Sequence, residues 1–247
     1  MRKPDRVAPE LLAKFCFDLP PVPRQLDWNT LFGNDRPVEL EIGCGKGAFI
    51  VHAATTRPEV NFAGIEVVRK YQLYCGTRIA RRNLTNARMA CTDARFALAW
   101  SIPVGSLQAV HVYFPDPWWK ARHAKRRIVT PEFLVWVIRC LKPGGTFHLA
   151  SDVPDYFHAS VEILDKQPLL VRQNLPDDRG TITNFERKAL AKGGVINHGI
   201  WLRPTTEVPP APPDPQRLFP VPLPGSESGS DTDLGQVSEN PLDPLQL

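Results

Sequence analysis

The chain has 247 residues, 43% of them apolar and 23% charged, with no run of about 18 apolar residues and no signal-peptide pattern in MRKPDRVAPELLAKF, which argues for a soluble α/β-sized domain and against a membrane span. Its five cysteines are scattered without a C-x-x-C pair, which argues against a zinc site or disulfide framework and for reduced thiols in the cytoplasm. The net charge of +4 is uneven: seven acids against one base give the segment from Pro204 onward −6, so residues 1–203 carry +10 and would attract a polyanion such as nucleic acid.

Residues 1–30 read as an arm with a short helix over about 8–16, followed by Pro-rich irregular chain. VELEI (38–42) predicts a short strand running into glycines, with a helix from about Ala48 to Thr55 behind it. NFAGIEV (61–67) predicts a second strand, followed by a helix from about Lys70 to Arg82, and NARMACT (86–92) a third strand. QAVHVYF (108–114), rich in β-branched and aromatic residues, predicts a fourth. Thr130 then offers an N-cap, Pro131 the first helical position and Glu132 a first-turn acid. Phe133, Leu134, Val137, Ile138 and Leu141 line one face of that helix, and Lys142-Pro143-Gly144-Gly145 stops it. GTFHLAS (145–151) predicts a fifth strand, 154–165 a further helix, and two last strands fall near 169–173 and 195–202. This alternation implies an α/β fold, a mostly parallel seven-stranded sheet with helices on both faces, occupying residues 31–203. Eleven of the 26 prolines lie from Pro204 onward among Gly, Ser and acids, so 204–247 reads as a disordered acidic tail.

Ligands of such sheets bind beyond the strand C-termini, and chemistry-bearing residues collect there. Gly43, Gly45 and Gly47 follow the first strand, where glycine lets the backbone approach a ligand closely. The stretch through Ala48 also fits G-x-G-x-x-A, so a dinucleotide site stays open, as does a tight turn with no ligand. Three acids sharpen the choice. Glu66 ends the second strand, where a carboxylate can accept from ribose hydroxyls, and Asp93 follows the third, within reach of an adenine. Glu41 precedes the glycines, and an acid there suits a sulfonium and an amino group but repels a pyrophosphate; this favours S-adenosylmethionine over NAD. Each acid alone could be a solvated strand end or a helix cap.

Past the fourth strand, Phe114-Pro115-Asp116-Pro117-Trp118-Trp119 sets an aspartate between two prolines, stiffly presented at the same edge. Lys120, Arg122, Lys125, Arg126 and Arg127 follow, and aromatic faces beside clustered cations hold unstacked bases and phosphates. A solvated charged face is the plainer reading of such a run. FPDPWWKARHAKRRIVTPEFL (114–134) resembles the signature of bacterial tRNA (guanine-N7-)-methyltransferases, as do Glu41–Gly47, Gly64–Glu66 and Thr183-Asn184-Phe185-Glu186. The resemblance covers roughly 35–203 and implies a Rossmann-like class I fold that moves a methyl from S-adenosylmethionine to guanine N7 of tRNA, at the variable-loop guanine. It implies Glu41, Glu66, Asp93 and Asp116 as cofactor acids, and Lys120, Asp152 and Thr183 to Glu186 as substrate contacts. Asp116 is the expected catalytic carboxylate, stabilising a guanine that becomes cationic, and no metal is expected. Ser151-Asp152 could instead cap a helix, and Thr183-x-x-Glu186 is also a capping-box pattern. Three rivals remain: an NAD-dependent oxidoreductase on the same glycine loop, a non-catalytic RNA-binding protein, and a small-molecule methyltransferase that leaves the 120–127 cations unexplained.

Overall fold

The computed structural model describes residues 7–22, 24–118, 121–174, 186, 190–191 and 193–211, including the side chains of Arg122, His123 and Arg126 within 121–126. After the helices α1 (Pro9–Ala13) and α2 (Trp28–Phe32), the chain alternates: β1 (Val38–Ile42), α3 (Ala48–Thr56), β2 (Asn61–Ile65), α4 (Arg69–Arg81), β3 (Ala87–Ala90) and α5 (Ala94–Phe96). It continues with β4 (Leu107–Tyr113), α6 (Pro131–Cys140), β5 (Leu141–Ser151), α7 (Pro154–Asp165), β6 (Val171–Gln173) and β7 (Asn197–Leu202). The strand order is β3-β2-β1-β4-β5-β7-β6, with β7 antiparallel to both its neighbours and the first five strands parallel. The mostly parallel, Rossmann-like seven-stranded sheet expected for a class I methyltransferase is therefore present.

β1 and β2 are buried along their whole length because helices cover both faces of a parallel sheet. On one face Phe133 and Val137 of α6 and Phe157 of α7 pack with Phe147 and Trp201 of the sheet; on the other Phe49 and Ile50 of α3 and Ile79 of α4 pack with Phe62. Thr130 caps α6 as its sequence promises, its hydroxyl accepting from the Phe133 amide at 3.2 Å, a contact contributing about 1 kcal/mol.

Three departures from the sequence reading have local causes. β5 begins at Leu141, four residues early, because Lys142–Gly145 passes through a register shift against β4, with Gly144 at φ 77°. The Gly144 amide is tied to the Arg203 carbonyl at 2.7 Å. The arm is seated on the sheet edge: the Met89 amide donates to the Phe15 carbonyl and the Phe17 amide to that of Met89, both at 2.9 Å. Buried Phe15 and this single bridge cover the exposed side of β3. α2 was not foreseen; Asp27 caps it, and Trp28 enters the core while donating to the Ser106 hydroxyl at 3.0 Å.

Arg203, only 1% exposed, donates to the carbonyls of Ile138, Leu141 and Glu207 and so satisfies the C-terminal end of α6. Arg139 donates to the Pro209 carbonyl, which seats the chain as far as the last described residues. Residues 212–247, most of the segment read as a disordered tail, lie outside the described residues. Among the described residues no helix is long and apolar enough to cross a membrane, and no cluster of His, Cys, Asp and Glu could hold a metal ion.

Candidate active site at the strand C-termini

The glycine turn connects β1 to α3, and Gly43, Gly45 and Gly47 have φ of 76°, 50° and 71°, in the left-handed region. Gly47 is also hemmed in: a Cβ there would sit 2.2 Å from Cys75 Sγ, so no larger residue fits. Cβ atoms built at Gly43 and Gly45, by contrast, meet nothing within 4 Å, which leaves an open cradle on the turn's outer side. Glu66 holds the turn in place. Its carboxylate accepts from the Gly45 amide at 2.8 Å and from the Val68 amide at 2.9 Å, stapling the glycine turn to the exit of β2. Each oxygen keeps a lone pair for a further donor. Arg78 adds a second clamp through the Lys46 carbonyl at 2.6 Å.

Glu41 is 6% exposed, and its Oε2 has no hydrogen-bond partner. Burial pushes its pKa up to about 7, against opposing hydrogen bonds from Cys44 and the Ile50 amide, and the nearby Glu66 charge adds to the rise. A buried carboxylate lacking a partner beside an open glycine cradle is what a cationic ligand group would complete. Asp93 is committed differently. It caps α5 through the Arg95 amide at 2.8 Å and holds the Arg95 guanidinium by two contacts of 2.7 and 3.1 Å. Burial disfavours its charge, but the Arg95 contacts outweigh this and lower its pKa.

Neighbouring strands bring the aspartate turn to the same place. Glu41 pairs with His111 and Ile42 with Val112, so the glycine turn and the Pro-Asp-Pro turn leave the sheet at one level, about 5 Å apart across the ladder. Asp116 is exposed there. Phe114 and Trp118, on either side of the two prolines, have φ of 51° and 45°, a strain of roughly 1–3 kcal/mol each. The surroundings hold it: the Phe114 amide donates to the Ala150 carbonyl at 2.8 Å, Arg127 Nε donates to the Pro117 carbonyl at 3.0 Å, and the Arg126 guanidinium lies 4.8 Å over the Trp118 ring. Asp152 is exposed at the exit of β5, the next strand over, while Ser151 accepts from the Val153 amide at 3.1 Å before α7.

The basic run forms a 3-10 turn over Ala121–Arg126. Arg122 is exposed and reaches His123 at 3.3 Å, and the His123 ring meets Trp118 edge-on at 5.8 Å. His123 escaped the sequence reading because neither its spacing nor a partner in sequence marks it. Glu186 is buried at 4% exposure. Lys120, Thr183, Asn184, Phe185 and the Lys125 side chain lie outside the described residues.

A second polar cluster was not foreseen. Glu39, 5% exposed on β1, binds Arg57 through both oxygens at 2.9 Å and His111 Nε2 at 2.9 Å, while His111 Nδ1 faces the Tyr113 hydroxyl at 2.9 Å. Phe49, in the first turn of α3, packs against His111 and Tyr113 at 4.7 and 4.8 Å. These residues border a cavity of about 380 Å3 between α3 and β4–β5 that contains none of the glycine-turn residues. Glu41, Glu66, Asp93 and Asp116 do not line it. The alternation in VELEI could have flagged Glu39 as a buried acid needing partners, but not His111 or Arg57 as those partners.

Comparison with known proteins agrees with this geometry. The family model described as "Putative methyltransferase" matches residues 35–198. The tRNA (guanine-N(7)-)-methyltransferase of Rhodopirellula baltica is 41% identical over 184 residues, 70% of this chain and 68% of its own. The enzymes of the same name from Aliivibrio fischeri and Paraburkholderia xenovorans are 40% and 38% identical, covering 73% and 75% of this chain and 76% and 71% of theirs. The glycine turn is thus a methyltransferase turn rather than an oxidoreductase one. With such relatives matched over more than two thirds of both chains, the chain belongs to the tRNA (guanine-N(7)-)-methyltransferase family.

Proposed function

We propose that the protein transfers a methyl group from S-adenosylmethionine to N7 of a guanine in tRNA, at the variable loop, and works in the cytoplasm, where its five free thiols stay reduced. The observation that carries this reading is the partnerless buried oxygen of Glu41 beside the open glycine cradle, level with the strained Asp116 turn. When bound, S-adenosylmethionine supplies a methyl already activated on a positive sulfur. Glu41, the Gly43–Gly47 backbone and Glu66 would hold it, with Glu41 completing its hydrogen bonding on a cationic group.

Guanine N7 has an in-plane lone pair and no proton, so the chain need supply no general base. Its task is to hold the base in line and to stabilise positive charge that grows on the purine. Asp116 meets the second demand, and its proline-flanked backbone costs no reorganisation at the moment of reaction. Its carboxylate, or that of Asp152 or Glu186, can also accept from guanine N1–H and N2–H2. Exposed Arg122, with Lys120 and Lys125, serves the phosphates. Asp93 reaches adenine only by sharing its carboxylate with Arg95.

Incubation with unmodified tRNA and methyl-labelled S-adenosylmethionine, followed by nucleoside analysis, tests the reading. Label in 7-methylguanosine is expected; label elsewhere, or none, overturns it. Asp116→Ala should lower turnover about 1000-fold with its unfolding temperature retained, and a wild-type rate removes Asp116 from the mechanism.

A further inference from the structure

We infer that Arg127 is a positioning residue for the Asp116 turn rather than one of the cations that hold RNA. The inference rests on the proposed role of Asp116. The turn from Phe114 to Trp118 stands in the left-handed region at both ends. Its two prolines contribute no N–H with which to staple it. Beyond the Phe114 amide on the Ala150 carbonyl, the hydrogen bond that holds the proline segment comes from a side chain outside it: Arg127 donates from Nε to the Pro117 carbonyl at 3.0 Å.

The guanidinium has a second contact. It lies 5.6 Å over the ring of Tyr156, a residue only 2% exposed in the first turn of α7. Arg127 therefore ties the exit of β4 to the helix that follows β5, and so links the turns bearing Asp116 and Asp152. Burial pushes the Tyr156 hydroxyl up to about 12, with Ser160, the Val129 backbone and Arg127 opposing. Arg127 is half-buried, whereas Arg122, five residues earlier, is exposed. An arginine can donate from Nε and stack its plane at once; a lysine offers a single point charge and cannot do both.

The charge-preserving Arg127→Lys and the neutral Arg127→Gln separate the two roles. For each, single-turnover methyl transfer at saturating tRNA, the tRNA Kd across a salt series, and hydrogen exchange of the 113–118 segment are measured. Positioning predicts, for both variants, a rate loss of about 100-fold, a Kd and salt slope within twofold of wild type, and faster exchange confined to 113–118. Phosphate binding predicts wild-type behaviour from Arg127→Lys, and from Arg127→Gln a weaker Kd with a salt slope smaller by about one; that pattern, or unchanged exchange, overturns the inference. If Arg127→Gln does not fold, Arg127→Lys decides between the roles alone. Should the wild-type protein leave tRNA unmethylated, the proposed function fails while the exchange measurement still decides the place of Arg127.

Discussion

Glu39 and Glu41 lie two residues apart on one face of β1 and are buried alike, at 5% and 6% exposure, yet their surroundings treat them oppositely. Glu39 has Arg57 on both oxygens and His111 on one of them. Burial works against its charge, but His111 and Arg57 outweigh this and lower its pKa. Glu41 keeps one oxygen without a partner, and burial raises its pKa to about 7. Burying a carboxylate is costly in either case. Where the fold itself supplies the partners, the carboxylate joins elements together. Where it does not, as at Glu41, an oxygen stays without a partner, and the proposed function gives that place to the ligand. The difference between the two acids is thus visible in hydrogen bonding, not in burial.

The comparison can be tested most strongly at Glu41. Glu41→Gln should weaken S-adenosylmethionine binding about 100-fold by calorimetry, since a charge pair in a desolvated site is lost. Its unfolding temperature without ligand at pH 8 should not fall, because an uncompensated buried charge has gone. A parallel loss of stability would mean that Glu41 is structural after all. Next in size, Glu39→Gln should destabilise the protein by about 2 kcal/mol, less than for a fully buried pair because Arg57 is 37% exposed. That corresponds to a drop of roughly 4–8 °C in unfolding temperature for a chain of this size. S-adenosylmethionine affinity should stay within about threefold; a larger change would make Glu39 part of the binding site.

The pH effects are smaller and of opposite sign. A cationic ligand needs Glu41 ionised, so affinity should rise about tenfold between pH 6 and pH 8 in the wild type and stay flat in Glu41→Gln. A wild-type profile without this slope would exclude Glu41 from the ligand. In the ligand-free protein, a carboxyl whose pKa is raised to about 7 on folding contributes stability fully below the ordinary carboxylate range, and the contribution is lost as pH rises through 7. Glu39, whose pKa is lowered on folding, contributes stability above the ordinary range and loses it as pH falls through its folded pKa. Denaturant unfolding between pH 6 and 8 should therefore show wild type losing about 1 kcal/mol relative to Glu41→Gln, and an equal pH response from the two would break the contrast.

Much of the scaffold was legible because it depends on local signals. β1, α7 and the capped start of α6 lie where alternation, proline and the Thr130 cap place them. The positions of Glu41, Glu66 and Asp116 at three strand exits followed from the same pattern. Their present bonding did not. Glu66 staples the glycine turn, and Asp93 caps α5 and holds Arg95, because backbone amides and a guanidinium happen to converge there in space. In the basic run, charge density suggested five equivalent cations, whereas Arg126 lies exposed over the Trp118 ring and only Arg127, half-buried, is held against Pro117 and Tyr156.

By itself the sequence determined the order of the strands and of the longer helices, the glycine turn at the first exit and the rigid frame around Asp116, since each depends on residues within a few positions of one another. Only the tertiary structure decided which buried acid is satisfied, which arginines of the basic run stay exposed, and how the arm and Trp28 close the sheet's edge and core. The acid and the core contacts depend on partners 18 to 78 residues away, as Glu39 with Arg57 and Trp28 with Ser106 illustrate. Hydrogen bonds and stacking act over a few ångströms in space, and no spacing along the chain encodes that proximity.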